Sequence, residues 1–200
     1  MAGDQPFSVT VYASSSERID ARYFSVAEAL GRCIAQQGWE LVWGGGRFGL
    51  MGAVSRGVRA AGGSQRGVIL QKFIDMDVHC KETQEMRSVP DMRQRKQGLD
   101  EAGGAYVALP GGLGTLEEIL EILSFKQLGL HDKPVVLLNA FGYWDCLLAM
   151  LEHGFEEGFV PSACRDMYTV AEDPEAAIEQ IRTTPAWQPS SHDSRGGGTG

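Results

Sequence analysis

Ala105-Tyr106-Val107-Ala108-Leu109-Pro110-Gly111-Gly112-Leu113-Gly114-Thr115-Leu116-Glu117-Glu118 is the stretch that decides how the chain folds. Its apolar first part, ended by proline, predicts a buried strand. The glycines then allow a sharp turn that bares successive backbone N–H groups, and Leu116 to Leu128 continues as a helix. A helix that starts in such a loop points free amides and its positive dipole end at an anion, and phosphate suits that geometry. The Thr115 hydroxyl offers a further donor. The same residues also read as a capping box, Thr115 with Glu118 three positions on, which needs no ligand.

Outward from this loop, short apolar strands alternate with helices. Phe7 to Tyr12, Glu40 to Trp43, Gly67 to Leu70, Pro134 to Leu138 and Met167 to Val170 read as strands. Ala21 to Gln37, Leu50 to Ala61, Met92 to Ala102, Tyr143 to Glu157 and Pro174 to Ile181 read as helices. Asp91, after Pro90, caps the helix that carries Arg93, Arg95 and Lys96. Gln71 to Glu85 lacks periodicity and reads as a loop at a site or an interface. The alternation predicts an α/β chain with a Rossmann-like three-layer fold, a central parallel sheet with helices on both faces. Residues 1–184 then form a single nucleotide-binding α/β domain, with ligands beyond the carboxyl ends of the strands. Residues 185–200 turn to Pro, Ser and Gly and read as a disordered tail.

Composition narrows the function classes. A hydrophobic share of 43% with 22% charged residues is that of a water-soluble globular domain. The net charge of -8 argues against a nonspecific nucleic-acid binder but not against one small anion, which a few amides and local cations can hold. No stretch has the pattern of a signal peptide or a membrane span, so no membrane partner is expected and the expected location is cytoplasmic. Cys33, Cys80, Cys146 and Cys164 form no CxxC pair and read as reduced thiols. His79, His131, His153 and His192 show no metal-ligand spacing, so no metal is expected.

A second glycine loop follows the second strand. Gly44, Gly46 and Gly49 satisfy the bare GxGxxG spacing, yet a dinucleotide fingerprint belongs after the first strand and needs an acid about 20 residues on. Ile69, Leu70 and Gln71 occupy that region, and no GK[ST] occurs either. What remains is a flexible loop, with Gly45 and Gly46, converging on the same sheet edge as Ser14 and Ser15. Leu50 and Met51 read as helix-packing residues.

Glu117, Glu118 and Glu121 crowd the helix after the first glycine loop. Carboxylates beside a phosphate make sense if one of them reaches the uncharged sugar attached to it. Gly44-Gly45-Gly46 with Gly49-Leu50-Met51-Gly52, Met92 with Arg95-Lys96, and Pro110-Gly111-Gly112-x-Gly114-Thr115-x-x-Glu118 together resemble the LOG ("Lonely guy") family, from roughly Val9 to Val170. The resemblance implies hydrolysis of the N-glycosidic bond of cytokinin riboside 5'-monophosphates or AMP, giving free base and ribose 5-phosphate. It implies no cofactor, and a homodimer with the site near the subunit interface. Arg95 and Glu118 are then the catalytic residues, and Gly111, Gly112, Gly114 and Thr115 the phosphate loop. Lys96 accompanies the arginine, Met92 lies near the base, and Asp77 is a ligand contact. Ser14, Ser15, Gly45, Gly46, Glu117 and Glu121 complete the expected substrate-binding set.

Two other functions fit the same motifs: a general purine nucleoside-monophosphate nucleosidase and a non-catalytic carrier of a phosphorylated ligand. The family's older label, lysine decarboxylase, finds no support in the residues. None of Lys72, Lys81, Lys96, Lys126 and Lys133 stands in a context that marks a Schiff-base lysine. Tyr143 and Trp144 either line the base pocket or pack the helix that follows.

Overall fold

A computed structural model describes residues 6–187, so most of the expected tail, from 188 on, lies outside the described residues. Among the described residues seven strands form one sheet: β1 (Ser8–Tyr12), β2 (Glu40–Trp43), β3 (Gln65–Leu70), β4 (Glu85–Val89), β5 (Ala105–Ala108), β6 (Val135–Leu138) and β7 (Thr169–Ala171). Every pairing is parallel and the order is β4-β3-β2-β1-β5-β6-β7. The helices are α1 (Ala21–Gln36), α2 (Gly49–Ala60), α3 (Gln71–Asp75), α4 (Met92–Ala102), α5 (Leu113–Gln127), α6 (Asp145–Glu156) and α7 (Pro174–Thr183).

The expected three layers are present. β1, β5 and β6 are buried along their whole length because helices cover both faces, and this is why they read as apolar runs rather than alternating ones. On one face, Val9 and Val11 pack with Leu30 and Ile34 of α1, Val54 and Val58 of α2, and Ile178 and Ile181 of α7. On the other, Tyr12 and Tyr106 pack with Leu99 of α4, Ile119 and Ile122 of α5, and Phe155 of α6. Asp91 caps α4 as expected, its carboxylate accepting from the Gln94 N–H at 2.9 Å.

Strand order reverses between β1 and β5, and this switch point places the site. The register runs from Val9 opposite Ala105 to Tyr12 opposite Ala108, so the loops after both strands leave the sheet side by side. The backbone of Ser14 ties three loops together there. Its N–H donates to the Pro110 carbonyl at 3.3 Å, and its carbonyl accepts from the Leu50 and Met51 amides at 2.8 and 3.2 Å.

The segment read as a loop contains α3 and leads directly into a strand. β4 escaped the sequence reading because it is a polar edge strand, Glu-Met-Arg-Ser-Val, with three of its five residues exposed. Room for it comes from Gly67 and Gly45, where an added Cβ would meet the Met86 sulfur at 2.6 and 2.7 Å. Trp187, beyond the expected domain boundary, packs against the second core cluster.

Lys126, near the end of α5, is fully buried and donates to the Lys133 carbonyl at 2.7 Å, closing the turn between α5 and β6. Burial pushes its ammonium down to about 8 from an ordinary 10.5. Between those values the unfolded chain holds more protons than the folded one, so stability rises with pH across that window. Denaturant melts of the wild type should gain about 2 kcal/mol between pH 8 and 10 relative to Lys126→Met. Parallel pH dependences of the two proteins would contradict this.

Candidate active site

The glycine loop opens α5 earlier than its apolar pattern indicates. Gly112 is the N-cap, with φ -89° and ψ -155°, and the Leu116 N–H to the Gly112 carbonyl, at 3.0 Å, is the first helical bond. The amides of Gly112, Leu113, Gly114 and Thr115 therefore precede the hydrogen-bonded helix and make up its free N-terminal set. A Cβ at Gly112 or Gly114 would meet nothing within 4 Å, so the loop fronts open space. Gly111 is different: a Cβ there would lie 2.1 Å from the Thr115 Oγ1. With Gly112 as the cap, Thr115 falls at the third helical position and is buried, and the expected capping box does not form.

The Glu118 carboxylate goes elsewhere. It accepts from the Arg95 Nη1 at 2.7 Å, joining α5 to α4, and both side chains are about nine-tenths buried. Burial pushes the Glu118 carboxyl above its ordinary range, against the opposing pull of the Arg95 guanidinium. The guanidinium fits because residue 44 is glycine: a Cβ there would stand 2.1 Å from the Arg95 Nη2. The Arg95 Nε is buried and has no hydrogen-bond partner among the described residues. Arg95 thus presents one face to Glu118 and another to the cavity beside it.

That cavity holds about 270 Å³ and is lined by Ser15, Gly44, Gly46, Phe48, Met51, Ile69, Phe73, Met76, Val78 and Arg95. Its walls are apolar apart from Ser15 and Arg95, which suits a flat heterocycle with an apolar substituent. The roof comes from the segment after β3. Residues 78 to 80 run along the second glycine loop, with Arg47 N–H to the Val78 carbonyl at 3.0 Å and Cys80 N–H to the Gly45 carbonyl at 2.8 Å. Phe73, Met76 and Val78 were not singled out in the sequence, because their spacing follows no period. Leu50 is in the core as expected, and Met51, expected to pack a helix, packs against that core and also lines the cavity.

The remaining expected residues fall into three groups. Ser15 and Gly46 line the cavity, while Ser14 and Gly45 shape it through their backbones. Lys96 donates to Glu117 at 2.8 Å and to Glu121 at 3.0 Å, forming a second α4–α5 bridge outside the buried pair. Asp77 and Met92 are exposed and outside the cavity lining. Asp77 has φ 53° and pairs with Lys81 at 2.7 Å, which holds its carboxyl below the ordinary range. Tyr12, not singled out before, lies buried at the end of β1, where burial and the nearby Glu118 carboxylate push its phenol up. Neither Tyr143 nor Trp144 lines the cavity; the Trp144 indole donates to the Ala108 carbonyl at 3.3 Å.

Fold and site define a Rossmann-like α/β protein with an open amide loop at the sheet's switch point and a buried Arg–Glu pair beside an apolar cavity. Residues 51–181 match the family model described as "Possible lysine decarboxylase". The chain is 43% identical over 180 residues to a cytokinin riboside 5'-monophosphate phosphoribohydrolase of Rhodococcoides fascians, covering 89% of this chain and 90% of that one. It is 37% identical over 173 residues to an enzyme of the same name from Arabidopsis thaliana, covering 86% and 80%. The chain belongs to this family, the LOG family that its motifs resemble. A molybdenum cofactor carrier protein of Chlamydomonas reinhardtii shares the fold, with a TM-score of 0.69 at 23% identity over 90% of this chain and 98% of that one. Among the described residues no lysine lines this cavity.

The two kinds of glycine in the anion loop should respond differently to a methyl group. Gly111→Ala should melt lower, by about 1–3 kcal/mol, because its Cβ meets Thr115. Gly112→Ala should melt like the wild type yet bind ribose 5-phosphate about tenfold more weakly if the open space before Gly112, which its Cβ enters, is where an anion sits. Calorimetric binding and thermal melts check both, and equal ribose 5-phosphate affinity in Gly112→Ala and wild type would contradict the assignment.

Proposed function

We propose that the protein hydrolyses the N-glycosidic bond of nucleoside 5'-monophosphates, cytokinin riboside 5'-monophosphates or AMP, releasing the base and ribose 5-phosphate. The observation that carries this reading is the position of the Arg95–Glu118 pair between the amide loop and the apolar cavity. Glu118 lies three residues beyond Thr115 on α5, a rise of about 5 Å, which is the scale of a ribose between its 5'-phosphate and C1'. A phosphate on the amides of Gly112 to Thr115 then leaves the base facing the cavity.

Departure of the base develops positive charge on the sugar ring, as in glycoside cleavage generally. The Glu118 carboxylate stabilises that charge and orients the ribose hydroxyls and the attacking water. Water adds to C1' as the C1'–N bond breaks, and the base leaves with a proton. Arg95 holds Glu118 in place and, as a residue lining the cavity, brings its guanidinium charge near the base, offsetting charge on the leaving group. The phosphate does not react, and its binding energy serves to position the bond that does.

The protein acts as a homodimer in the cytoplasm, without nucleic-acid or membrane partners. Exposed apolar side chains on α5 and just beyond it, Leu113, Leu120, Leu128 and Leu130, with Met150 on α6, support the dimer. The thiols of Cys33, Cys80 and Cys146, none of them in a disulfide, accord with a reducing compartment. Among the described residues no helix is long and apolar enough to cross a membrane.

Incubation with AMP and with an N6-prenylated AMP should release free base and ribose 5-phosphate, faster from the prenylated substrate. Glu118→Gln should bind either nucleotide nearly as well and turn over at least about 100-fold more slowly. Saturable binding without base release from any nucleotide would instead identify a carrier, and normal turnover by Glu118→Gln would overturn the role of this carboxylate.

A further inference from the structure

We propose that Tyr143 is a positioning residue for the anion loop, its hydroxyl aiming the Gly112 amide at the substrate's phosphate. The proposal rests on the phosphate-binding part of the function above.

The Tyr143 hydroxyl donates to the Gly111 carbonyl at 2.6 Å. In a planar trans peptide the C=O of one residue and the N–H of the next point in opposite directions. Fixing the Gly111 carbonyl toward Tyr143 therefore fixes the Gly112 N–H away from it. Gly112 needs such a constraint. It has no side chain and no neighbour within 4 Å of a Cβ position, and it lies ahead of the first hydrogen-bonded turn of α5. Glycine in such a place samples more conformations than any other residue, and an amide free to turn is a poor anion donor.

The surroundings of Tyr143 hold it for this one contact. Its ring meets the edge of Trp144, with centroids 4.9 Å apart at 82°, and that of Tyr23, 6.0 Å apart at 79°. Trp144 is itself fixed, its backbone N–H donating to the Asn139 Oδ1 at 2.6 Å and its indole to the Ala108 carbonyl. The chain reaches this position through two consecutive left-handed residues, Phe141 at φ 58° and Gly142 at φ 72°. The left-handed region is disfavoured for a side chain as large as Phe141, and burial does not account for it, since Phe141 is 53% exposed. Its ring is held by the Arg22 guanidinium 4.3 Å away and by the edge of Tyr23 at 5.4 Å. A strained turn, a cation on a ring and three aromatic contacts thus converge on a half-exposed tyrosine whose hydroxyl grips the anion loop.

Tyr143→Phe removes one oxygen and keeps the ring contacts. Its KM for a nucleoside 5'-monophosphate and its Kd for ribose 5-phosphate should rise about three- to tenfold, the effect of one lost hydrogen bond. Its kcat should stay within about twofold, and inhibition by the nucleoside without a 5'-phosphate should be unaltered. A merely structural tyrosine would weaken both kinds of ligand alike or lower the melting temperature without this selectivity, and either result would overturn the proposal, as would unchanged phosphate affinity. Calorimetry with ribose 5-phosphate reads the effect without turnover, so absence of base release in the wild type would count against the hydrolase and leave this test intact.

Discussion

Arg95 and Glu118 meet at 2.7 Å with about a tenth of each side chain exposed, and much of the surrounding architecture exists to hold them there. A buried ion pair is a poor source of stability, because removing two charges from water costs about as much as their attraction returns. The upward displacement of the Glu118 carboxyl shows burial outweighing its partner. Such a pair is kept where the charges have work to do. Gly44 makes room for the guanidinium, the Asp91 cap starts α4 so that Arg95 faces inward, and Lys96 bridges the same two helices to Glu117 and Glu121 on the outside. α4 and α5 are thereby locked at a fixed spacing, with Arg95 paired to Glu118 while also lining the cavity.

Each side of the pair follows its own chemistry. The proposed phosphate side is built from backbone, so it needs no excess of cations and is compatible with a chain of net charge -8. The proposed base side, the apolar cavity, is lined from four separate stretches, of which Phe73, Met76 and Val78 belong to a segment pinned to the second glycine loop. The Ser14 backbone, bonded to Pro110 on one side and to the start of α2 on the other, fixes the distance between the two halves. In the proposed reaction a nucleotide spans them with the glycosidic bond between, the arrangement in which remote binding energy aids a reaction at the centre.

What the sequence revealed follows from how each element is stabilised. β1, β2, β5 and β6 were legible because mostly buried strands must be apolar, and the glycine loop because a run of glycines directly after such a strand stands out, although only Gly111 of the three lacks room for a side chain. β4 was not, since an edge strand gains its pairing from the backbone and can be polar. The start of α5 was misplaced because Thr115 and Glu118 satisfy a local capping rule that one local and one tertiary contact override: Thr115 packs on Gly111, and Glu118 finds Arg95, 23 residues away in sequence. Arg95 and Glu118 were found through the family's motif. The cavity walls were not, because aperiodic residues such as Phe73 and Val78 acquire a common purpose only when the chain folds over the glycine loop.

A crystal structure of the Glu118→Gln protein with bound N6-prenylated AMP tests the account most directly. It should place the phosphate on the amides of Gly112 to Thr115, the base in the cavity lined by Met51, Phe73 and Val78, and the ribose C1' against the side chain at position 118. A phosphate seated on the loop from Gly44 to Gly49, or a ribose out of reach of position 118, would contradict it.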